Sequence, residues 1–177
     1  MKLTQIPSLR CITRLLPVCA ALALVAGCRS GPPPLTRGKP VPWTVKLTKS
    51  TADLVEVDLF GVNKLEDDHW RNRVRMDDYC KPNSDLRAAV LQDRAKTTRF
   101  DGPGTFVLEA TDPKWKTWLD NSCYELAIMA NLPGSFPNPA ADGRRLFLLL
   151  GKKEWDAKVL EVEIQRDGLH LKTPPRP

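Results

Sequence analysis

The sequence predicts a mainly β protein, an antiparallel β-sandwich of about seven strands with two or three short inserted helices. Short segments in which apolar and polar residues alternate recur along the chain and outnumber those with helical periodicity. Asp167-Gly168 separates two of these segments and is typical of a type I′ hairpin turn, in which both central residues need a positive φ. Many short strands with few helices favour two packed sheets.

The seven predicted strands share a high content of valine, leucine and isoleucine. They are Trp43–Leu47, Leu54–Leu59, Thr105–Glu109, Glu125–Asn131, Leu146–Leu150, Val159–Gln165 and Leu169–Leu171. Glu125–Asn131 and Leu146–Leu150 hardly alternate, which indicates strands that are more fully buried.

Helices are predicted at three places. Asp112 precedes Pro113, an N-cap followed by proline at the first helical position, and places Trp115 and Trp118 on one face. Those tryptophans belong to a core or form an exposed platform for a glycan or partner. Ser84-Asp85 is a second helix start, and 64–71 is a third helical segment.

The first residues have the layout of a secretory signal peptide. Basic residues are followed by an uncharged run from Leu15 to Gly27, shorter than the roughly 20 apolar residues of a membrane span. The run ends at Val25-Ala26-Gly27-Cys28, which resembles the bacterial lipoprotein signal, and that resemblance implies lipid on Cys28 after removal of residues 1–27. The alternative is an ordinary signal peptide with a chance cysteine. Arg29, in place of an aspartate, implies the outer membrane.

The remaining chain divides into three parts. Residues 28–42 are rich in proline and glycine, which predicts an extended, lipid-anchored linker. Residues 43–172 form the predicted sandwich, and the proline-rich tail 173–177 is expected to be disordered.

Charge argues against nucleic acid as a partner. Lys2, Arg10 and Arg14 leave with the signal, so that the net charge falls from +6 to +3. The remaining alternation of arginines between 71 and 75 is flanked by aspartates, which predicts a self-neutralising surface.

Two cysteines remain in the exported domain. Cys80 and Cys123 are an even pair in an oxidising compartment, so a disulfide is predicted, with two separate buried thiols as the alternative. The histidines do not lie at ligand spacing from them, and no metal site or cofactor is predicted.

No catalytic constellation is found, and the chain is predicted not to be an enzyme. The loop after Asn131 contains Pro133, Phe136 and Pro137, and a rigid projecting loop of this kind often carries recognition. These three residues are the predicted partner-binding residues, and the alternative is that the loop only connects two strands.

The lipid signal and these strands together resemble the outer-membrane lipoprotein family of type VI secretion systems. The matching segments are 55–60, the buried strand 126–131 and the final hairpin through Gly168. The Trp115/Trp118 helix and the loop after Asn131 are departures, and the family's central tyrosine after the second strand is not recognised. The resemblance implies a single sandwich that binds a periplasmic secretion-channel subunit and holds it to the outer membrane. A lipoprotein that binds carbohydrate or another envelope protein is the alternative.

Overall fold

Two four-stranded sheets build the domain in the computed structural model, which describes residues 36–138 and 141–177. Their strands are β1 (Thr44–Lys49), β2 (Val55–Val62), β3 (Lys96–Phe100), β4 (Gly104–Leu108), β5 (Glu125–Ala130), β6 (Arg145–Leu149), β7 (Val159–Gln165) and β8 (Gly168–Leu171). The first sheet has the order β4-β1-β7-β8 and the second β3-β2-β5-β6. The predicted mainly β sandwich is confirmed, with β3 as a strand that the sequence did not indicate.

Helical segments connect the strands. They are a π-helical turn (His69–Arg73), α1 (Met76–Cys80), α2 (Asp85–Asp93) and α3 (Pro113–Asp120). Both predicted caps are present: Ser84 Oγ accepts from the Arg87 N–H at 3.2 Å, and Asp112 Oδ1 accepts from the Lys114 N–H at 2.9 Å. No helix of the described ranges is long and apolar enough to cross a membrane.

One strand pair departs from the antiparallel pattern. β1 pairs antiparallel with β4 and parallel with β7, so that Thr44 lies opposite Val159. All other strand pairs in the described residues are antiparallel. Parallel neighbours need a long crossover connection. Here the chain segment between β1 and β7 contains all four strands of the second sheet.

Two apolar cores result, one on each face of the second sheet. The main core lies between the sheets and contains Val45, Leu47, Val57, Leu59, Trp115, Trp118, Leu126, Ile128, Leu160 and Val162. The outer core lies between the other face of β2 and β5 and the helical segments, and contains Phe60, Val62, Trp70, Met76, Tyr79, Val90, Ala127 and Met129. Because β5 is buried on both faces, its sequence does not alternate.

The final hairpin is confirmed, but its predicted turn type is wrong. Gln165 pairs with Gly168, so Arg166 and Asp167 are the central residues, and neither has a positive φ. The positive φ of 149° belongs to Gly168, where an added Cβ would lie 2.8 Å from the Gly143 carbonyl oxygen. The glycine is therefore needed for a close backbone approach rather than for a type I′ turn.

Residues Thr36–Pro42, here called the strap, are bound to the domain. The Val41 N–H donates to the Leu150 carbonyl at 3.0 Å. The backbone carbonyls of Lys39 and Arg37 accept from the N–H groups of Lys152 and Lys153, at 3.0 and 2.9 Å. The part of the predicted linker that the structure describes is thus held along the chain after β6. Cys28, residues 1–27 and the first part of the linker lie outside the described residues.

The C-terminal tail, expected to be disordered, also makes specific contacts. Pro175 forms a β-bridge with Trp155, and the Arg176 N–H donates to the Glu154 carbonyl at 2.7 Å. The Arg176 guanidinium bonds Asp156, and the Arg37 guanidinium donates to the carbonyls of 176 and 177. Prolines do not prevent this arrangement, because the pairing uses the amide of the one residue between them that has an N–H.

Candidate functional site

The loop between β5 and β6 contains all three predicted partner-binding residues. Pro133 and Pro137 are exposed, and Phe136 is half-buried, with one side against the main core. The Arg144 guanidinium carbon lies 4.6 Å from the centre of the Phe136 ring, a cation–π contact. The phenylalanine is therefore neither a freely projecting anchor nor a fully enclosed core residue. Residues 139 and 140 lie outside the described part.

The side chain of Arg144 fixes the loop to the rest of the domain. It is buried, and its Nη2 bonds Asp142 at 2.6 Å and Asp77 of α1 at 2.8 Å. These bonds raise the pKa of the Arg144 guanidinium, and the Arg144 contact lowers the pKa of the Asp77 carboxyl. Arg144 and Asp77 thus stay ionised, and the bonds of Arg144 join the loop to α1. Sequence reasoning missed Arg144, because nothing local distinguishes it from a surface arginine.

A shallow cavity of about 340 Å³ lies beside Phe136. It is lined by Arg75, Met76, Asp77, Gly134, Ser135, Phe136, Pro137 and Asp142. The lining combines one aromatic ring with charges of both signs, which suits a side chain of a protein partner. In the described residues, no group of three His, Cys, Asp or Glu side chains could hold a metal ion.

The tryptophans of α3 do not form a platform. Trp115 and Trp118 are each 2% exposed and pack edge to face at 5.0 Å in the main core. Their indole N–H groups donate to the carbonyls of Glu109 and Arg94. The core alternative is therefore confirmed, and a glycan-binding surface made of these two rings is excluded.

The arginines between 71 and 75 are self-neutralised, as predicted. Arg71 bonds Asp67 at 2.5 Å, and Arg73 bonds Asp68 at 2.8 Å. Arg75 lies 3.8 Å from Asp77. This surface offers no unpaired stripe of positive charge to nucleic acid.

The disulfide predicted between Cys80 and Cys123 is absent from this structure, where both are free thiols. Cys123 packs in the main core and Cys80 against the outer core. The two side chains are therefore on opposite faces of the second sheet, an arrangement that does not allow an S–S bond. The alternative of two separate thiols describes the structure.

Both thiols are expected to react slowly with alkylating reagents in the folded protein. Burial raises the pKa of each to about 11, so that roughly one in a thousand is a thiolate at pH 8. Mass spectrometry of the processed protein after a short iodoacetamide pulse should find Cys80 and Cys123 unmodified, and both modified after urea unfolding. A linked peptide pair without reductant would contradict this expectation.

Glu125 is a buried carboxylate at the start of β5. It is 2% exposed and accepts a hydrogen bond from Arg71, while its Oε2 atom is buried and has no hydrogen-bond partner in the described residues. Burial raises the pKa of this carboxyl above the ordinary 4.5, and Arg71 offsets only part of the effect.

Replacement of Glu125 by Gln should become more favourable as pH rises. Below pH 4.5 the carboxyl is protonated in both the folded and the unfolded state and contributes no pH dependence. Above it the unfolded state ionises first, so the wild type loses stability relative to Glu125→Gln until the raised folded pKa is passed. Urea unfolding across pH would measure this slope. Glu163→Gln provides the control, because hydrogen bonds from Gln165 and Lys172 lower the pKa of the Glu163 carboxyl. The stability of the wild type relative to this variant should therefore rise, not fall, with pH.

The strap and the Phe136 loop lie at opposite ends of the second sheet. β5 and β6 are antiparallel, with Glu125 opposite Leu149 at one end and Met129 opposite Arg145 at the other. The strap bonds Leu150 and the residues after it, whereas the loop leaves β5 and enters β6 at the far end. At about 3.4 Å per residue, the β6 ladder separates the two ends by about 14 Å.

Similar solved structures include three from type VI secretion systems. They are the lipoprotein TssJ1 from Pseudomonas aeruginosa (12% identity, 78% of this chain and 99% of that chain, TM-score 0.44), a chain of the type VI membrane complex (12%, 74% and 98%, 0.47) and Lip from Serratia marcescens, a membrane-bound component of the system (8%, 75% and 96%, 0.43). No family model and no curated protein sequence matches the chain.

Proposed function

We propose that this chain is a lipid-anchored envelope protein whose sandwich holds a protein partner at the outer membrane. One observation carries the proposal: the chain from the lipidation signal enters the domain at one end of the second sheet, and the Phe136 loop leaves the other end. A domain that is anchored at one end and presents a recognition loop at the other is suited to an adaptor.

The lipidation site supports the first half of this role. Val25-Ala26-Gly27-Cys28 closes an apolar run, and lipid on Cys28 would attach the domain through the strap. Two or more acyl chains hold a protein stably on a membrane, since each buried CH₂ contributes about 0.8 kcal/mol. Arg29, in place of an aspartate, supports the outer membrane as the proposed location.

The fixed loop supports the second half. Arg144 contacts the ring of Phe136, and the neighbouring prolines restrict the backbone conformations of the loop. The loop therefore loses little conformational entropy when a partner binds. Aromatic side chains on such a surface often dominate interface energetics. The sequence resemblance to type VI secretion lipoproteins makes a periplasmic secretion-channel subunit the proposed partner.

Replacement of Phe136 by Ala should abolish capture of the channel subunit with little effect on folding. The ring is half-buried and lies at the edge of the core, so its loss should lower the free energy of unfolding by about 1 kcal/mol rather than by the 3–5 kcal/mol of an enclosed phenylalanine. Co-purification of the subunit from cross-linked cells, paired with a thermal melt of the variant, measures both effects.

Leu65→Ala is the matched control for this experiment. Leu65 is 93% exposed and follows the end of β2 where Val62 pairs with Glu125, the end that carries the strap. Its loss should change neither capture nor stability. Undiminished capture by Phe136→Ala, or a large fall in its melting temperature, would show that Phe136 is a packing residue of a connecting loop.

A further inference from the structure

We propose that the strap end of the domain lies against the anionic phospholipid headgroups of the membrane that holds the lipid. This inference rests on the lipidation of Cys28 in the proposed function. It adds a second contact with the membrane, made by basic side chains of the folded domain, and thereby an orientation of the domain on the membrane.

The strap fixes where the anchored chain meets the domain. Backbone bonds join 37, 39 and 41 to the segment 150–153, and the Arg37 N–H donates to the buried Glu154 carboxylate. The nine residues from 28 to 36 can span at most about 30 Å. A longer free linker that reached to residue 42 could hold the domain roughly 20 Å further away. The strap therefore keeps this end of the domain near the membrane.

Basic side chains surround the point where the strap begins. Arg37, Lys39, Lys152 and Lys153 are exposed and lie on the two paired segments. Within the described ranges, none of these three lysines forms an ion pair, whereas the Arg37 guanidinium donates to the Arg176 carbonyl and to a main-chain oxygen of Pro177, the last residue of the sequence. The surface between 67 and 77 differs, because its arginines are each neutralised by an aspartate.

The acidic groups near this end have other partners. Glu154 is buried beneath the Arg37 amide, and Asp156 is bonded by Arg176. Asp120 lines a groove together with Lys39 but forms an ion pair with Lys116. The three lysines around the strap therefore present a net positive surface at the anchored end.

Electrostatics then favours contact with a charged membrane. The attraction acts over a Debye length of about 10 Å at moderate salt, a distance that the short tether allows. Basic residues next to a lipid anchor supply a second membrane signal, and each one near an anionic surface favours contact about fivefold. Anionic phospholipid headgroups are the occupant that this charge pattern fits.

The test compares lysine reactivity on two kinds of vesicle. The processed, lipidated protein is reconstituted into vesicles of phosphatidylcholine alone or of phosphatidylcholine with phosphatidylglycerol, and treated briefly with an acetylating reagent. Mass spectrometry then gives the acetylation rates of Lys152 and Lys153. Lys81 is the internal control, since it is exposed beside Asn131 and Glu56 at the loop end of the sheet.

The expected result is acetylation of Lys152 and Lys153 at least about fivefold slower on the anionic vesicles. Raised salt should restore the faster rate, and the rate for Lys81 should be the same on both vesicles. Equal rates for Lys152 on the two vesicle types would overturn this inference while the anchor stands. Protein that fails to float with either vesicle would instead overturn the proposed anchor, and the inference with it.

Discussion

Cells that make the Cys28→Ala chain are expected to show no incorporation of a palmitate analogue and to release the protein from the membrane fraction. The thiol of Cys28 is the acceptor that the lipoprotein signal implies, and alanine has no nucleophile to replace it. Without acyl chains, the proposed contact through the basic surface at the strap end would be the remaining one, and electrostatic contact of this kind is weak and reversed by salt. Metabolic labelling and fractionation in raised salt measure the two effects.

Cys19→Ala is the control for this experiment. Cys19 lies inside the apolar run, is removed with the signal, and should leave both labelling and fractionation unchanged. Label that persists on Cys28→Ala, together with membrane fractionation in raised salt, would remove the basis of the proposed adaptor role.

The Asp58→Ala variant is expected to be the most destabilised of those considered in the described domain. Asp58 is 1% exposed in β2 and accepts from Tyr79 Oη at 3.0 Å, Arg87 Nε at 2.7 Å and Thr97 Oγ1 at 2.8 Å. Its removal leaves the buried Tyr79 hydroxyl without its acceptor and leaves the partly buried Arg87 guanidinium with Glu56 as its remaining carboxylate partner. Loss of one partner from such a buried pair costs about 3–5 kcal/mol, which urea unfolding would measure.

Asp68→Ala removes a carboxylate from a surface pair and serves as the comparison. Asp68 bonds Arg73 while both side chains stay largely exposed, so its loss should lower the free energy of unfolding far less than the loss of Asp58. Similar losses for the two variants would show that the Asp58 cluster contributes no more than an ordinary surface ion pair.

Local signals in the sequence predicted most of the elements correctly. The predicted strand Val159–Gln165 has the bounds of β7, because valine, leucine and isoleucine alternate with polar residues over its whole length. The start of α3 at Asp112-Pro113 was also predicted correctly, because an N-cap and a proline at the first helical position act within one turn.

The features that depend on distant parts of the chain were missed. β3 reads Lys-Thr-Thr-Arg-Phe, and its polar residues are tolerated because β3 is an edge strand with β2 as its neighbour. The site residue Arg144 acts through Asp77, 67 residues away in the chain. The separation of the two thiols likewise follows from which face of a sheet each occupies, which a count of cysteines does not reveal.

The central position of β1 determines how the domain, if anchored as proposed, would respond to tension. The strap leads directly into β1, which lies between β4 and β7 and pairs with both over nearly its full length. A pull between the lipid and a partner on the Phe136 loop would first strip the strap's backbone bonds and lengthen the tether. It would then act along β1, whose ladder bonds to two neighbours must shear together rather than open one at a time. The strap would thus detach and extend first, while the sandwich stays folded and bound to its partner.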